Sequence, residues 1–155
     1  MEDDTQPGMA MASLDDIPPN DSDAEIGEVS DTDDFAAFCS VAASVFEMPL
    51  DVAEYVYQAA LAADRRLFIG RVDGQTAACG LLVETGDVAG VYTIGVLEEF
   101  RRKGMGEAMS WAVLRGGRDA GCQVGVLQSS DMAQPLYEKM GFETVVTYHN
   151  YTQSS

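Results

Sequence analysis

The chain has 155 residues, 46% of them apolar, which is one domain's worth of sequence with enough apolar material for a real core. A formal net charge of −17 argues against nucleic acid and anionic membrane as partners, since both need a basic surface. It would favour encounter with a cationic substrate such as an amine, but plain solubility, in high salt among other settings, is the commoner reason for such a charge.

The acidity is uneven. Residues 1–34 hold twelve of the 26 acids and no Lys or Arg. With Pro7, Gly8, Pro18 and Pro19 among them, residues 1–23 read as an acidic, solvated, disordered tail ahead of a domain over residues 24–155. Cys39, Cys79 and Cys122 are odd in number and widely spaced, so they read as reduced core thiols and not as a disulfide frame or a zinc site. The start Met-Glu-Asp-Asp has the wrong charge for a signal peptide, and no apolar run reaches membrane-spanning length. A cytoplasmic protein needing no metal is the expectation.

Along the chain, Ala24–Val29 predicts a short edge strand. Asp31 or Thr32 can cap a helix carrying Phe35, Phe38, Ala42, Val45 and Phe46 at helical spacing, which Met48-Pro49 breaks. Asp51 with Glu54 resembles a capping box, and Val52, Tyr55, Val56, Ala59 and Ala60 line one face of a second helix. Leu67–Val72 and Gln75–Glu84 flank Asp73-Gly74, a strong hairpin signal, and Thr85-Gly86-Asp87 turns into a third strand, Val88–Val96. A helix follows with Met105, Ala108, Met109, Ala112 and Val113 on one face, its end weakened by Gly116-Gly117. Gln123–Gln128 is a strand, and Ser130 or Asp131 starts a helix with Pro135 in its first turn and Gly141 as its stop. Phe142–Tyr151 is the last strand. Strand, helix, strand over 88–128 implies a right-handed crossover between parallel neighbours. The class is α/β, a mixed sheet of about six strands flanked by about four helices.

Between the third strand and its helix stands Arg101-Arg102-Lys103-Gly104-Met105-Gly106. Two glycines let a ligand approach the backbone, and the helix start offers unpaired N–H groups and a positive dipole end. That makes an anion cradle suited to a diphosphate. About thirty residues on comes Ala133-x-x-Leu136-Tyr137-Glu138-Lys139-x-Gly141-Phe142.

On these two motifs, with Val124–Ser130 between them, residues 24–151 resemble the GNAT superfamily of N-acetyltransferases, which use acetyl-CoA. The resemblance implies a central parallel strand pair splayed to admit the pantetheine arm, with Ile94, Gly95 and Val96 offering backbone to it. It implies that the N–H of Val96 polarises the thioester carbonyl. The N–H groups of Arg102, Lys103, Gly104, Met105, Gly106 and Glu107 would hold the diphosphate, with charge added by Arg101, Arg102 and Lys103. Tyr137 matches the tyrosine that protonates the departing thiolate; a phenol stays protonated at neutral pH and can donate. Ala133 belongs to the same motif. Ser130 stands where many members carry an Asn that bonds the pantetheine, and the position often held by a Glu base falls near Gly90. The base is then Glu84, Tyr92 or a water chain.

His149 reads as structural or surface, Trp111 as packing, and Ser129-Ser130 has no triad partners, which discounts a serine hydrolase. Family folds carry one strand more than remains after Phe142–Tyr151, so the sheet edge invites a homodimer. The expected partner is a small-molecule or peptide amine. The rival readings are a non-catalytic CoA-binding or regulatory module and a nucleotide-phosphate binder.

Overall fold

The computed structural model of the chain describes residues 3–20, 22–130 and 133–151. Asp131, one of the two expected helix starts, lies outside them, as do Met1, Glu2, Asp21, Met132 and residues 152–155.

The sheet is built first by a local meander. Strand β3 (Arg66–Val72) turns through Asp73 and Gly74, whose φ values of 52° and 81° are those of a two-residue hairpin turn, into β4 (Gln75–Thr85). β4 pairs antiparallel with β5 (Val88–Val96), and β2 (Glu25–Glu28) closes the far edge on β3. Helix α3 (Met105–Asp119) then crosses one face and returns the chain as β6 (Val124–Gln128), parallel to β5. α3 does not weaken at Gly116-Gly117. A Cβ at those positions would stand 2.7 Å from the Phe68 ring and 2.6 Å from Ala89 Cβ, so the glycines let the helix lie close on the sheet. α4 (Gln134–Met140) carries Pro135 in its first turn and ends on Gly141 at φ 113°, and β7 (Glu143–Tyr151) follows.

The largest departure from the sequence reading is at the N-terminus. The segment expected as a tail contains strand β1 (Asp3–Met11), which lies between β6 and β7 and is antiparallel to both. The sheet therefore has seven strands among the described residues, in the order β2-β3-β4-β5-β6-β1-β7. The strand that seemed missing after residue 151 is supplied by the chain itself, which removes the reason for expecting a partner subunit at that edge. Pro7, Met9 and Met11 alternate inward, and Met9 is 1% exposed in the core beside Leu127 and Phe142. Leu14 and a hydrogen bond from Arg115 Nη2 to the Pro18 carbonyl (2.6 Å) tie the connection down. Pro7 is tolerated because its rung is the last one on the β6 side: Ser129 N–H donates to its carbonyl at 2.9 Å, and β6 has already ended.

The other face is covered by α1 (Thr32–Val45) and α2 (Leu50–Ala62). α1 starts as expected, with the Asp31 carboxylate accepting from Asp34 N–H at 2.7 Å. α2 does not. Pro49 is its N-cap, Asp51 accepts from Val52 N–H at 3.0 Å, and no box with Glu54 forms. Its packed side is Ala53 and Tyr57, the latter edge-to-face with Phe38 at 4.8 Å, while Tyr55 is 79% exposed and Val52 and Val56 face outward with it. Both faces of α2 are apolar enough to bury, and the fit of Tyr57 against Phe38 selects one.

All three cysteines are free and buried. Burial pushes the Cys79 thiol up to about 12 and the Cys39 thiol to about 11, which keeps both protonated and unreactive at neutral pH. No helix among the described residues is long and apolar enough to cross a membrane.

Candidate active site

The site begins where β5 and β6 stop pairing. Their parallel register runs only from Val88↔Val124 to Val91↔Leu127. β5 then bulges: its register on β4 slips between Leu81↔Tyr92 and Cys79↔Gly95, and Thr93 takes φ 56°. A β-branched residue there costs about 1–2 kcal/mol. Cys79 Sγ donates to the Thr93 carbonyl at 3.3 Å, which helps hold the strained residue in place. Nothing in the sequence signals the bulge.

Beyond it, Leu97 N–H donates to the Ala77 carbonyl on β4 at 2.9 Å. Backbone groups alternate sides along an extended strand, so the N–H of Val96 points the opposite way, into the gap left by β6. The Val96 carbonyl, on that same side, accepts from Arg101 Nε at 3.0 Å. After a short 3-10 turn (Glu98–Phe100), Arg102 at φ 66° and Gly104 at φ 78° fold the basic loop under the start of α3. The first N–H groups of α3 have no partner within the helix and face the loop. A Cβ on Gly104 or Gly106 would meet nothing within 4 Å, so the loop floor is backbone beside open space. These are the features a diphosphate needs, and the residues fit one.

Two clefts meet in the gap. One, of about 710 Å³, runs from Ile94–Val96 to the glycine loop and is lined by Arg101, Arg102, Gly104, Met105, Gly106, Glu107, Ser130, Ala133 and Tyr137. Thus the expected site residues come together, with the exception of Lys103, which is exposed and off the lining. Val45, Leu136 and Lys139 line it too and were not anticipated as site residues, although Leu136 and Lys139 lie inside the motif already singled out. Lys139 Nζ stands 3.3 Å from Glu107 Oε1 and so offsets the one carboxylate on this wall. The second cleft, about 350 Å³, opens on the α1 side and is lined by Gln6, Phe46, Tyr92, Thr93 and Gln128 among others. Ile94, Ser130, Ala133 and Tyr137 belong to both.

Tyr137 thus stands at the junction. It is 8% exposed and edge-to-face with Phe142 at 5.8 Å. Burial raises its pKa, and the facing Ser110 hydroxyl opposes part of that rise. The Ser130 hydroxyl accepts from Ala133 N–H at 3.2 Å, which leaves its own proton to give.

Of the named base candidates, Glu84 sits at the hairpin end of β4, opposite Ala89, five residues or about 16 Å of strand from Ile94. There it pairs with Arg66 Nη1 at 2.8 Å, and Arg66 also holds Glu28. Glu84→Gln is therefore expected to lower stability by no more than about 1 kcal/mol, as thermal melts will show. Tyr92 does line the second cleft. Its ring overlies Gly90, whose Cβ would stand 2.7 Å from Tyr92 Cε2, so the glycine makes room for the aromatic ring. Among the described residues no cluster of His, Cys, Asp and Glu is arranged to hold a metal ion.

The fold is an α/β sheet parted at its central parallel pair, with a basic, glycine-spaced loop at one end of the gap. The model of the acetyltransferase (GNAT) family matches residues 33–142, and the chain belongs to that family. No curated protein matches it. Among solved structures it is similar to a GCN5-related N-acetyltransferase from Sphaerobacter thermophilus, at 19% identity and TM-score 0.77 over 94% of this chain and 50% of that one. A GCN5-related N-acetyltransferase from Kribbella flavida is 22% identical with TM-score 0.69, over 92% of this chain and 55% of that one. A Trypanosoma brucei acetyltransferase is 17% identical with TM-score 0.66, over 85% of this chain and 99% of that one. The chain spans about half the length of the two bacterial proteins, and at these identities the likeness is one of fold.

Proposed function

We propose that the chain transfers acetyl from acetyl-CoA to a primary amine by direct attack of the amine on the thioester. One observation carries this reading: the two clefts join at Tyr137, with the Val96 N–H aimed into the gap between them. The larger cleft suits the cosubstrate, its diphosphate on the Arg102–Glu107 backbone and its arm along Ile94–Val96. When bound, acetyl-CoA supplies the activated acyl group. The Val96 N–H is then a fixed donor for the carbonyl oxygen as charge develops on it, a contribution of a few kcal/mol. The Tyr137 phenol is the acid for the leaving sulfur, and the amine enters from the smaller cleft.

Thiol release from acetyl-CoA across an amine panel tests this. Tyr137→Phe is expected to lower kcat by about 100-fold or more with little change in the KM for acetyl-CoA. Because burial raises the phenol's pKa, the acid stays protonated past the usual value near 10. The alkaline fall in kcat that comes from its loss lies above about pH 10 and is absent in the Phe variant. CoA binding with no turnover on any amine would instead favour the non-catalytic module. Tighter binding of ATP or NAD than of CoA would favour the nucleotide binder.

A further inference from the structure

The smaller cleft has a wall that the family match does not reach. Gln6 lies on β1, outside residues 33–142, yet it lines this cleft together with Phe46 and Tyr92. Its direction follows from β1 itself. Pro7, Met9 and Met11 turn toward α3 and α4, so Gln6 turns to the face that carries α1. Gly8 sits across from Gln128, and Gln6 lies two residues nearer the site on the same side. The Gln128 Nε2 donates to the Gln6 Oε1.

That contact uses the Gln6 carbonyl and one Gln128 proton, and leaves the Gln6 N–H donors and the Gln128 carbonyl available to a ligand in the cleft both residues line. A donor and an acceptor side by side, in a cleft also lined by the half-exposed rings of Phe46 and Tyr92, complement a compact apolar body with a neutral group that both gives and accepts a hydrogen bond. A hydroxyl does both. We propose that Gln6 and Gln128 form a specificity dyad for the acceptor, and that the acceptor is a small amino alcohol. The inference rests on the proposed acetyl transfer for the role of this cleft as the acceptor side.

The test uses two amines that differ by one hydroxyl, trans-2-aminocyclohexanol and cyclohexylamine, titrated calorimetrically into the full chain saturated with CoA. No turnover is needed. The aminoalcohol is expected to bind about tenfold more tightly, since a site built to pair a hydroxyl disfavours the analogue that lacks it. In Gln6→Leu that ratio is expected to fall close to one, with CoA affinity unchanged. Gln128→Leu does the same independently of β1, and the double variant falls no further because the two amides act as a unit. Equal binding of the two amines by the unaltered chain, or a preference that survives Gln6→Leu and Gln128→Leu, overturns the dyad. Thiol release measured with the same amines separates the two claims. A preference without thiol release on any amine of the panel leaves the dyad standing and overturns acetyl transfer; release without a preference does the reverse.

Discussion

Removal of residues 2–11 is expected to abolish cooperative folding of the sheet's C-terminal side, and not merely to trim an acidic tail. Among the described residues β7 pairs with β1 and with no other strand, so losing β1 leaves the last strand without a ladder. Met9 and Met11 leave the core at the same time, and the apolar surface beside Leu127, Met140 and Phe142 opens to water. Truncating one such buried Met to Ala costs about 2–5 kcal/mol, and a domain has only about 5–15 kcal/mol in total. The deletion therefore takes most or all of the stability. Met9→Ala is the graded version, with a fall in Tm of roughly 5–15 °C. Calorimetry gives the Tm, and hydrogen exchange at residues 143–151 reports whether β7 has lost protection. A truncated chain that melts like the full one would mean that β1 is dispensable.

Gly106→Val is expected to separate ligand binding from folding. Space beside Gly106 is open, so an added Cβ there meets no atom of the fold, and the Tm of Gly106→Val is expected to move by less than about 3 °C. The same side chain projects over the N–H groups that would hold the diphosphate, and affinity for CoA is expected to fall at least about 100-fold. Gly104→Ala makes the contrast. At φ 78° the added Cβ strains the backbone by about 1–2 kcal/mol, so stability falls together with affinity. Equal CoA affinity in Gly106→Val and the unaltered chain would remove the glycine loop from the binding site.

The legible parts of this protein are those whose signals are local. Asp73-Gly74 marks the hairpin, Asp31 the first helix cap, Gly141 a helix stop, and the glycine-spaced basic run a strand-to-helix loop, and each lies where its chemistry puts it. What escaped were features decided by distant contacts. Pro7, Gly8 and a run of acids look like a tail, and only the docking of Met9 and Met11 between two strands makes the segment a sheet element. Gly116-Gly117 looks like a helix end until the nearness of Phe68 and Ala89 is known. Val52, Tyr55 and Val56 have the spacing of a buried stripe and lie outside, because Tyr57 fits Phe38 better. The gap itself depends on the Thr93 bulge, which no residue type announces. Most of the lining of the larger cleft could thus be named in advance, whereas the wall of the smaller cleft built from β1, the end of α1 and the end of β6 could not.

The central claim is that the parted strands and the glycine loop grip a phosphorylated thiol carrier. Calorimetric titration of CoA into the full chain tests it most directly. Saturable heat at one carrier per chain, competed by acetyl-CoA and lost in Gly106→Val, is the expected result. No heat at millimolar CoA would contradict it.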